Sequence, residues 1–375
     1  MTRVLVVNAG SSSLKYEVLD AESGVRVVAG LVERIGVPGS PVPDHAAALT
    51  DALEGLDVES IDAVGHRIVH GGTVFVQATV IDDAVEAEIE RLAVLAPLHN
   101  PPGLLGIRAA RAALPFVPQV AVFDTAFHAT LPPEAYTYAI DAAVAARYQV
   151  RRYGFHGTSY RYVTRRAAEL LGRPLEQLRQ VVLHLGNGAS AAAVAGGRSI
   201  NTSMGMTPLE GLVMGTRSGD LDPAVLVHLQ RVGGFDATAL DDMLNRSSGL
   251  KGLGGHSDMR DLIRAIDSGD EAAALAFEVY VHRVQRYIAA YAADLGGIDA
   301  LVFTAGVGEN SALVRARAVE RLGFLGIVVD AGLNAAPSSA PRFISPDGSP
   351  VAVLVVPTNE ELQIAFDTVA VISGG

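Results

Sequence analysis

The sequence predicts an α/β fold built from two related domains. Three observations point there. The chain has 375 residues, more than a single compact core usually holds. Short apolar runs alternate with amphipathic helical stretches along its length. Residues 4–18 are echoed by residues 181–194, each a strand, a small polar loop with glycine, and a second strand. The two hairpin loops are expected to face a shared cleft.

The elements follow in order. Residues 3–7 and 14–19 read as strands, with a third over 25–32. Residues 36–45 hold three prolines and two glycines and form a surface connection. Residues 46–55 read as a helix and 61–69 as a strand. Over 82–95 a helical period puts Val85, Ile89, Leu92, Ala93 and Ala96 on one face. Residues 97–102 (PLHNPP) break it, and a helix resumes over 103–113. A buried-strand run at 120–123 ends at Asp124. Residues 158–171 are helical, 181–185 a strand, and 190–195 pair back on it. Helices are expected at 222–232, 237–245 and 258–268, and a long Ala-rich one at 271–294. A strand at 300–304 runs into Gly306, Val307, Gly308, Glu309 and Asn310. A helix at 311–322, a last strand at 351–356 and a closing helix complete the chain. The domains are placed at 1–124 plus 361–375, and at 125–360.

Composition excludes several classes. The net charge of -12 argues against sequence-independent nucleic-acid binding, which rests on basic contacts to phosphate. No cysteine means no disulfide and no thiolate metal site. No apolar run approaches the roughly 20 residues of a membrane helix, so a cytoplasmic protein is expected. Trp is absent, and the core must be aliphatic. Lys15 and Lys251 are the only lysines.

Several local patterns suggest chemistry. In the loop from Asn8 to Ser13, Gly10 permits close backbone approach and amides and hydroxyls can cradle phosphate. Asn8 can orient metal-bound water and Lys15 can add a charge. An ordinary long hairpin turn is the alternative. His184, Leu185, Gly186, Asn187 and Gly188 open the second such loop, where Asn-Gly is also a plain hairpin signal. Neither loop is a Walker or dinucleotide fingerprint. Arg67 in GHRIVHGG and Arg217 in GTRSGD offer guanidinium forks for carboxylate or phosphate. Arg217 can equally pair with the nearby Asp220. Among the histidines, His156 stands out because glycines flank it. Asp124 at a strand end is a catalytic candidate or a turn residue. Glu360 can cap the last helix or serve a magnesium ion.

Taken together and in order, the segments NAGSSSLKY, GHRIVHGG, LAPLHNPP, VFDTAFH, YGFHGTS, HLGNGAS, TSMGMTPLEGLVMGTRSGDLDP, SDMRDL, GVGENS and PTNEEL resemble the acetate/propionate kinase family. That family lies within the acetate-and-sugar-kinase, heat-shock-70 and actin superfamily. The resemblance runs from residue 8 to residue 362. It implies two ribonuclease-H-like (actin-like ATPase) domains with a nucleotide cleft between them. The implied reaction is direct in-line transfer of the ATP γ-phosphoryl to acetate, giving acetyl phosphate and ADP, with Mg2+ (or Mn2+ as a substitute). It implies a homodimer.

By position, the resemblance makes Asn8 and Glu360 the metal-site residues. Lys15 and His184, Leu185, Gly186, Asn187 and Gly188 would face the ATP phosphates. Asp258, Met259, Arg260 and the segment Gly306, Val307, Gly308, Glu309, Asn310 would bind the adenosine part. Arg67 and Arg217 would hold the acetate carboxylate and the transferring phosphoryl, with His156 stabilising its charge. Asp124 matches the catalytic aspartate, and orienting Arg217 or placing the metal suits it better than proton abstraction. Val69, Leu98, Phe155 and Pro208 would form the apolar end of the substrate pocket. They leave room for a methyl group, so propionate should be slower, not excluded. Tyr160, Asn201, Lys251, His256 and the HNPPGL segment depart from the family pattern. A nucleotide-driven binding protein of the same superfamily is the alternative of another class, and it would not need two arginines.

Overall fold

A computed structural model describes residues 2–54 and 56–374. They divide into two compact units, Met1–Ala129 with Phe155–Tyr162 and Asn359–Gly375, and Thr130–Gly154 with Val163–Thr358. Among the described residues each unit is built on one six-stranded sheet.

In the first unit, β1 (Arg3–Ala9) is the central strand, with Val4, Leu5, Val6 and Val7 buried on both faces. It pairs antiparallel with β2 (Ser13–Asp20), which pairs with β3 (Arg26–Glu33) at the edge. Helix α1 (His45–Leu53) is capped by Asp44, whose carboxylate accepts from the Ala47 amide. The expected end of this helix, Gly55, lies outside the described residues. Strand β4 (Ala63–Ile68) runs parallel to β1, and after short β5 (Thr79–Val80), α2 (Asp83–Arg91) and α3 (Asn100–Ala113), β6 (Gln119–Phe123) runs parallel to β4. The sheet order is β3-β2-β1-β4-β6-β5.

The second unit repeats this order. Short helices α4 (Pro133–Tyr136) and α5 (Ala142–Tyr148) precede α6 (Gly157–Leu171), whose first turns belong to the first unit. Strands β7 (Arg179–Leu185), β8 (Ala189–Ala195) and β9 (Arg198–Thr202) form an antiparallel meander. Residues 203–223 then run without helix or strand. Helices α7 (Ala224–Gly233), α8 (Ala237–Arg246), α9 (Gly249–Gly254), α10 (Met259–Asp267) and the long α11 (Glu271–Asp294) follow. Strand β10 (Ala300–Thr304) is parallel to β7. After α12 (Ala305–Asn310), α13 (Ala312–Val319), α14 (Ala331–Ala335) and β11 (Arg342–Phe343), β12 (Ala352–Val355) is parallel to β10. The order β11-β12-β10-β7-β8-β9 places each strand as in the first unit. The two related α/β domains expected from the sequence are therefore present.

The last helix, α15 (Glu360–Ile372), returns to the first unit. Its Ile364 and Ala365 pack with Val4, Val6, Val120 and Val122 on one sheet face. The opposite face buries Leu5, Val7 and Leu14 against Ala48, Leu49 and Ala110.

Local details differ from the sequence reading for physical reasons. The helix expected over 82–95 is α-helical only to Arg91, and Leu92–Leu95 tightens to a 3-10 turn before the proline-rich break. The next helix starts at Asn100, because Pro101 and Pro102 fall in its first turn, where the missing amide hydrogens cost nothing. Helices α9 and α12 contain two or more glycines each, and propensity alone disfavours them.

Candidate active site

In the first unit the polar residues gather where parallel strands end. Strand β1 finishes at Asn8 and Ala9, β4 carries Arg67 one residue before its end, and Asp124 follows β6 directly. The parallel register of β1, β4 and β6 brings these ends to one edge, the ligand-binding edge of α/β sheets. The Asp124 amide donates to the Ile68 carbonyl at 2.9 Å. The Arg67 guanidinium grips the Asp124 carboxylate with both prongs, Nε to Oδ1 at 3.1 Å and Nη2 to Oδ2 at 2.7 Å. Asp124 is 1% exposed. Asp124 raises the Arg67 pKa, burial opposes it, and Glu360 adds to it.

Glu360 opens α15, and its Oε2 lies 3.9 Å from Arg67 Nε. That oxygen is shut off from solvent without a hydrogen-bond donor, although 21% of the side chain remains exposed. Burial pushes its carboxyl up to about 7, with Arg67 opposing and Asp124 and Glu361 reinforcing. Asn8 is half-buried and pairs with Lys15 across the hairpin. The Lys15 ammonium bonds Glu361 and lies 3.5 Å from Glu17. Burial draws its pKa down, but the Glu361 and Glu17 carboxylates outweigh this and raise it.

His156 enters through its backbone. It sits in the left-handed region with φ 59°, just before Gly157, whose amide donates to the Asp124 carbonyl at 2.9 Å. A Cβ on Gly157 would lie 2.1 Å from that carbonyl oxygen, so only glycine lets His156 come this close to Asp124. Phe155 is buried edge-on to His70 at 5.6 Å, Val69 is half-buried, and Leu98 is 53% exposed.

In the second unit, β7 and β8 are joined over Gly186, Asn187 and Gly188, with the Gly186 amide donating to the Gly188 carbonyl at 3.1 Å. His184 and Leu185 are buried within β7. A cavity of about 930 Å³ is lined by Gly186, Asn187, Asp258, Met259, Arg260, Gly306, Val307 and Asn310. That volume suits a drug-sized ligand. Asp258 caps α10, and the Arg260 fork holds its carboxylate well below the usual range. Gly188, His184, Leu185, Gly308 and Glu309 are not among the lining residues. Glu309 instead accepts from the Thr358 amide at 3.1 Å. The lining also includes Gly215, Leu250, Ser257, Ile263, Arg264, Tyr280 and Ser311, which the sequence reading did not name. Ile263 and Arg264 lie one helical turn beyond Met259 and Arg260, which is the signal that could have found them.

Arg217 donates to the Pro208 carbonyl at 3.1 Å and lies 3.7 Å from the Met214 sulfur. Among the described residues it makes no ion pair, and burial lowers its pKa. Asp220 does not pair with it: the Asp220 carboxylate is taken by Arg283 and Tyr287. Of the departures, Tyr160 is fully buried and stacks on Phe127, and Asn201 donates to Asp294 at 2.8 Å, where an aspartate would meet like charge. Lys251 is exposed, and its ammonium reaches the Arg246 carbonyl at 3.4 Å. His256 is half-buried, and the structure gives no reason for its presence there.

The sequence model of the Acetokinase family matches residues 3–366. The chain belongs to this family. An acetate kinase from Leifsonia xyli subsp. xyli is 59% identical over 100% of both chains. Among solved structures, an acetate kinase from Porphyromonas gingivalis has a TM-score of 0.95 at 43% identity, covering 99% of this chain and 100% of that one. A propionate kinase from Francisella tularensis subsp. tularensis SCHU S4 has a TM-score of 0.92 at 40% identity, covering 98% and 99%. ATP-dependent phosphorylation of acetate is the known reaction of the family, and a divalent metal is typical of it. Among the described residues no helix is long and apolar enough to cross a membrane.

Proposed function

We propose that this protein is an acetate kinase that transfers the γ-phosphoryl of ATP directly to acetate. One observation carries the chemistry beyond the family: in a chain of net charge -12, Arg217 is half-buried and makes no ion pair among the described residues. A desolvated guanidinium without a carboxylate suits a transferring phosphoryl. An acetate oxygen forms a bond to the γ-phosphorus as the bond to the ADP oxygen breaks, and no proton moves. Positioning and charge neutralisation then supply the catalysis. Arg67, anchored on Asp124, holds the acetate carboxylate. Arg217 and His156 meet the charge on the phosphoryl oxygens. The cavity of the second unit takes the adenosine, and Lys15 and the Gly186 hairpin take the phosphates.

A divalent cation fits the first unit's strand ends. The Glu360 Oε2 is buried without a donor, an unmet acceptor that a cation would satisfy. Among the described residues no group of three or more acidic or histidine side chains could hold a metal. Few protein ligands suit Mg2+, which keeps waters and takes phosphate oxygens, better than a dedicated cage. Asn8 and Glu360 would hold it, and bound there it neutralises phosphate charge. Mn2+ is expected to substitute. A cytoplasmic homodimer, implied by the family resemblance, completes the reading.

Hydroxamate formation from acetate, ATP and hydroxylamine tests the function. Arg217→Ala should lose roughly a hundredfold or more in kcat; near-native turnover would remove Arg217 from the site. The likeness to the Francisella propionate kinase favours propionate as a second substrate. The kcat/KM series over acetate, propionate and butyrate should fall roughly tenfold per methylene, since one methylene is worth ~1–3 kcal/mol. A maximum at propionate would reassign the acceptor.

A further inference from the structure

Residues 203–223 carry Pro208 and Arg217 through the second unit without regular structure. So long an irregular segment in a compact unit needs partners for its backbone polar groups. Arginine side chains supply them at two places. Arg152 donates to the carbonyls of Thr202, Ser203 and Met204 at 2.9, 3.1 and 3.2 Å and pairs with Glu210. Further on, the segment closes on itself. The Asp220 amide donates to the Gly211 carbonyl at 3.0 Å, and the Gly211 amide donates to Asp220 Oδ1 at 2.9 Å. The closure is tight. Gly211 has φ 107°, and a Cβ there would lie 2.6 Å from the Ser203 carbonyl oxygen.

Two residues of α11, four apart and so on one face, grip this closure. Arg283 donates to the Gly211 carbonyl at 2.8 Å and the Asp220 carbonyl at 3.3 Å, and its Nη1 lies 3.4 Å from Asp220 Oδ2. The Tyr287 hydroxyl is 3.1 and 2.9 Å from the two Asp220 carboxylate oxygens. This arrangement does two things. It fixes the backbone three residues beyond Arg217. It also occupies the carboxylate that local sequence would offer Arg217 as a counter-ion.

We propose that Asp220, Arg283 and Tyr287 are positioning residues that set the Arg217 guanidinium for phosphoryl transfer and keep it unpaired. The proposal rests on the reading of Arg217 as a catalytic residue. None of the three lines the nucleotide cavity, so the effect falls on kcat and not on ATP binding.

The test measures kcat, the KM values for ATP and acetate, and melting temperature. Tyr287→Phe and Asp220→Asn are made in the wild-type and Arg217→Lys backgrounds. Misplacing a catalytic group by an ångström can cost roughly a hundredfold, so Tyr287→Phe should lower kcat about tenfold with the KM for ATP within about twofold. In the Arg217→Lys background the same change should add less than about twofold, because coupled residues are not additive. Asp220→Asn, which keeps an acceptor for the Gly211 amide, should behave alike and covers the case of a Tyr287 variant that fails to fold. Unchanged kcat in both variants overturns the proposal. So does an equal penalty in the two backgrounds, which would make the network structural alone. Native kcat in Arg217→Lys itself would instead refute the reading of Arg217, a separate and recognisable outcome.

Discussion

Replacing Arg67 by alanine should damage the fold as well as the rate. Asp124 is 1% exposed, and Arg67 gives it two hydrogen bonds, at 3.1 and 2.7 Å. Removing one partner of a buried pair strands the other charge and typically costs ~3–5 kcal/mol. Arg67 keeps 22% of its side-chain surface, so water enters more easily and the lower end, about 3 kcal/mol, is expected. Glu360 loses its nearest cation in the same step. Adding Asp124→Asn to Arg67→Ala removes the stranded charge and should return about 2 kcal/mol, within the usual range of coupling between contacting residues. Neither variant should form hydroxamate at an appreciable rate. Urea unfolding of both variants beside wild type gives the stabilities. If Arg67→Ala unfolds at the wild-type midpoint, or if the second substitution restores nothing, the Arg67–Asp124 pair does not hold the strand ends together.

Two further predictions concern buried groups. His66 is 1% exposed and its Nε2 bonds Gln119 Oε1 at 2.7 Å, and burial lowers its pKa from 6.5 to about 4. The unfolded chain then binds the proton more readily. Its contribution is complete above the unfolded pKa and is lost as pH falls through the window from 6.5 towards 4. Between pH 7 and pH 5 the loss works out at about 2 kcal/mol. His66→Gln should flatten that part of the urea-midpoint profile, and parallel profiles would count against it. Arg315, 2% exposed, donates to the carbonyls of Gly308, Glu309 and Asn334 and to Asn334 Oδ1 at 2.7–2.9 Å. Burial lowers its pKa to about 10, so it stays charged at neutral pH. Arg315→Met leaves those acceptors bare and should cost roughly 3 kcal/mol, and it should raise the KM for ATP because α12 lines the cavity. An unchanged KM would separate Arg315 from the nucleotide.

What could be read from the sequence was what is local. The two hairpins were legible because largely apolar runs stop at Asn8 and at Gly186 and apolar residues resume after small polar ones. Glu360 was legible because Pro357 closes a strand and an apolar helix follows. What was not legible depends on register. Arg67 and Asp124 are 57 residues apart, and only the parallel pairing of β4 with β6 sets Arg67 opposite Val122, two residues before Asp124. Arg315 was not legible at all, since nothing near it in sequence announces that helix-end carbonyls will enclose it. Asp220 misleads for the opposite reason. It is the natural local partner for Arg217, yet α11, more than sixty residues on, takes its carboxylate.

The two arginines are therefore built differently, and their roles differ accordingly. Around Arg67 the first unit sets Asp124, Glu360 and Glu361 against Arg67 and Lys15, more carboxylates than cations, and Glu17 beyond them is shared by Lys15 and Arg26. Such a cluster does not attract an anion by its own charge. It holds a guanidinium still, with its prongs on Asp124, and leaves room for added positive charge. Arg217 has the reverse setting, a cation with carbonyl and sulfur neighbours and, among the described residues, no carboxylate partner. Removing Arg67 strands negative charge, whereas removing Arg217 strands none. The same alanine substitution should thus lower stability at Arg67 and leave it unchanged or higher at Arg217, while both lower kcat by roughly a hundredfold or more. A guanidinium kept desolvated without a counter-ion costs stability, a cost that an anionic partner would offset.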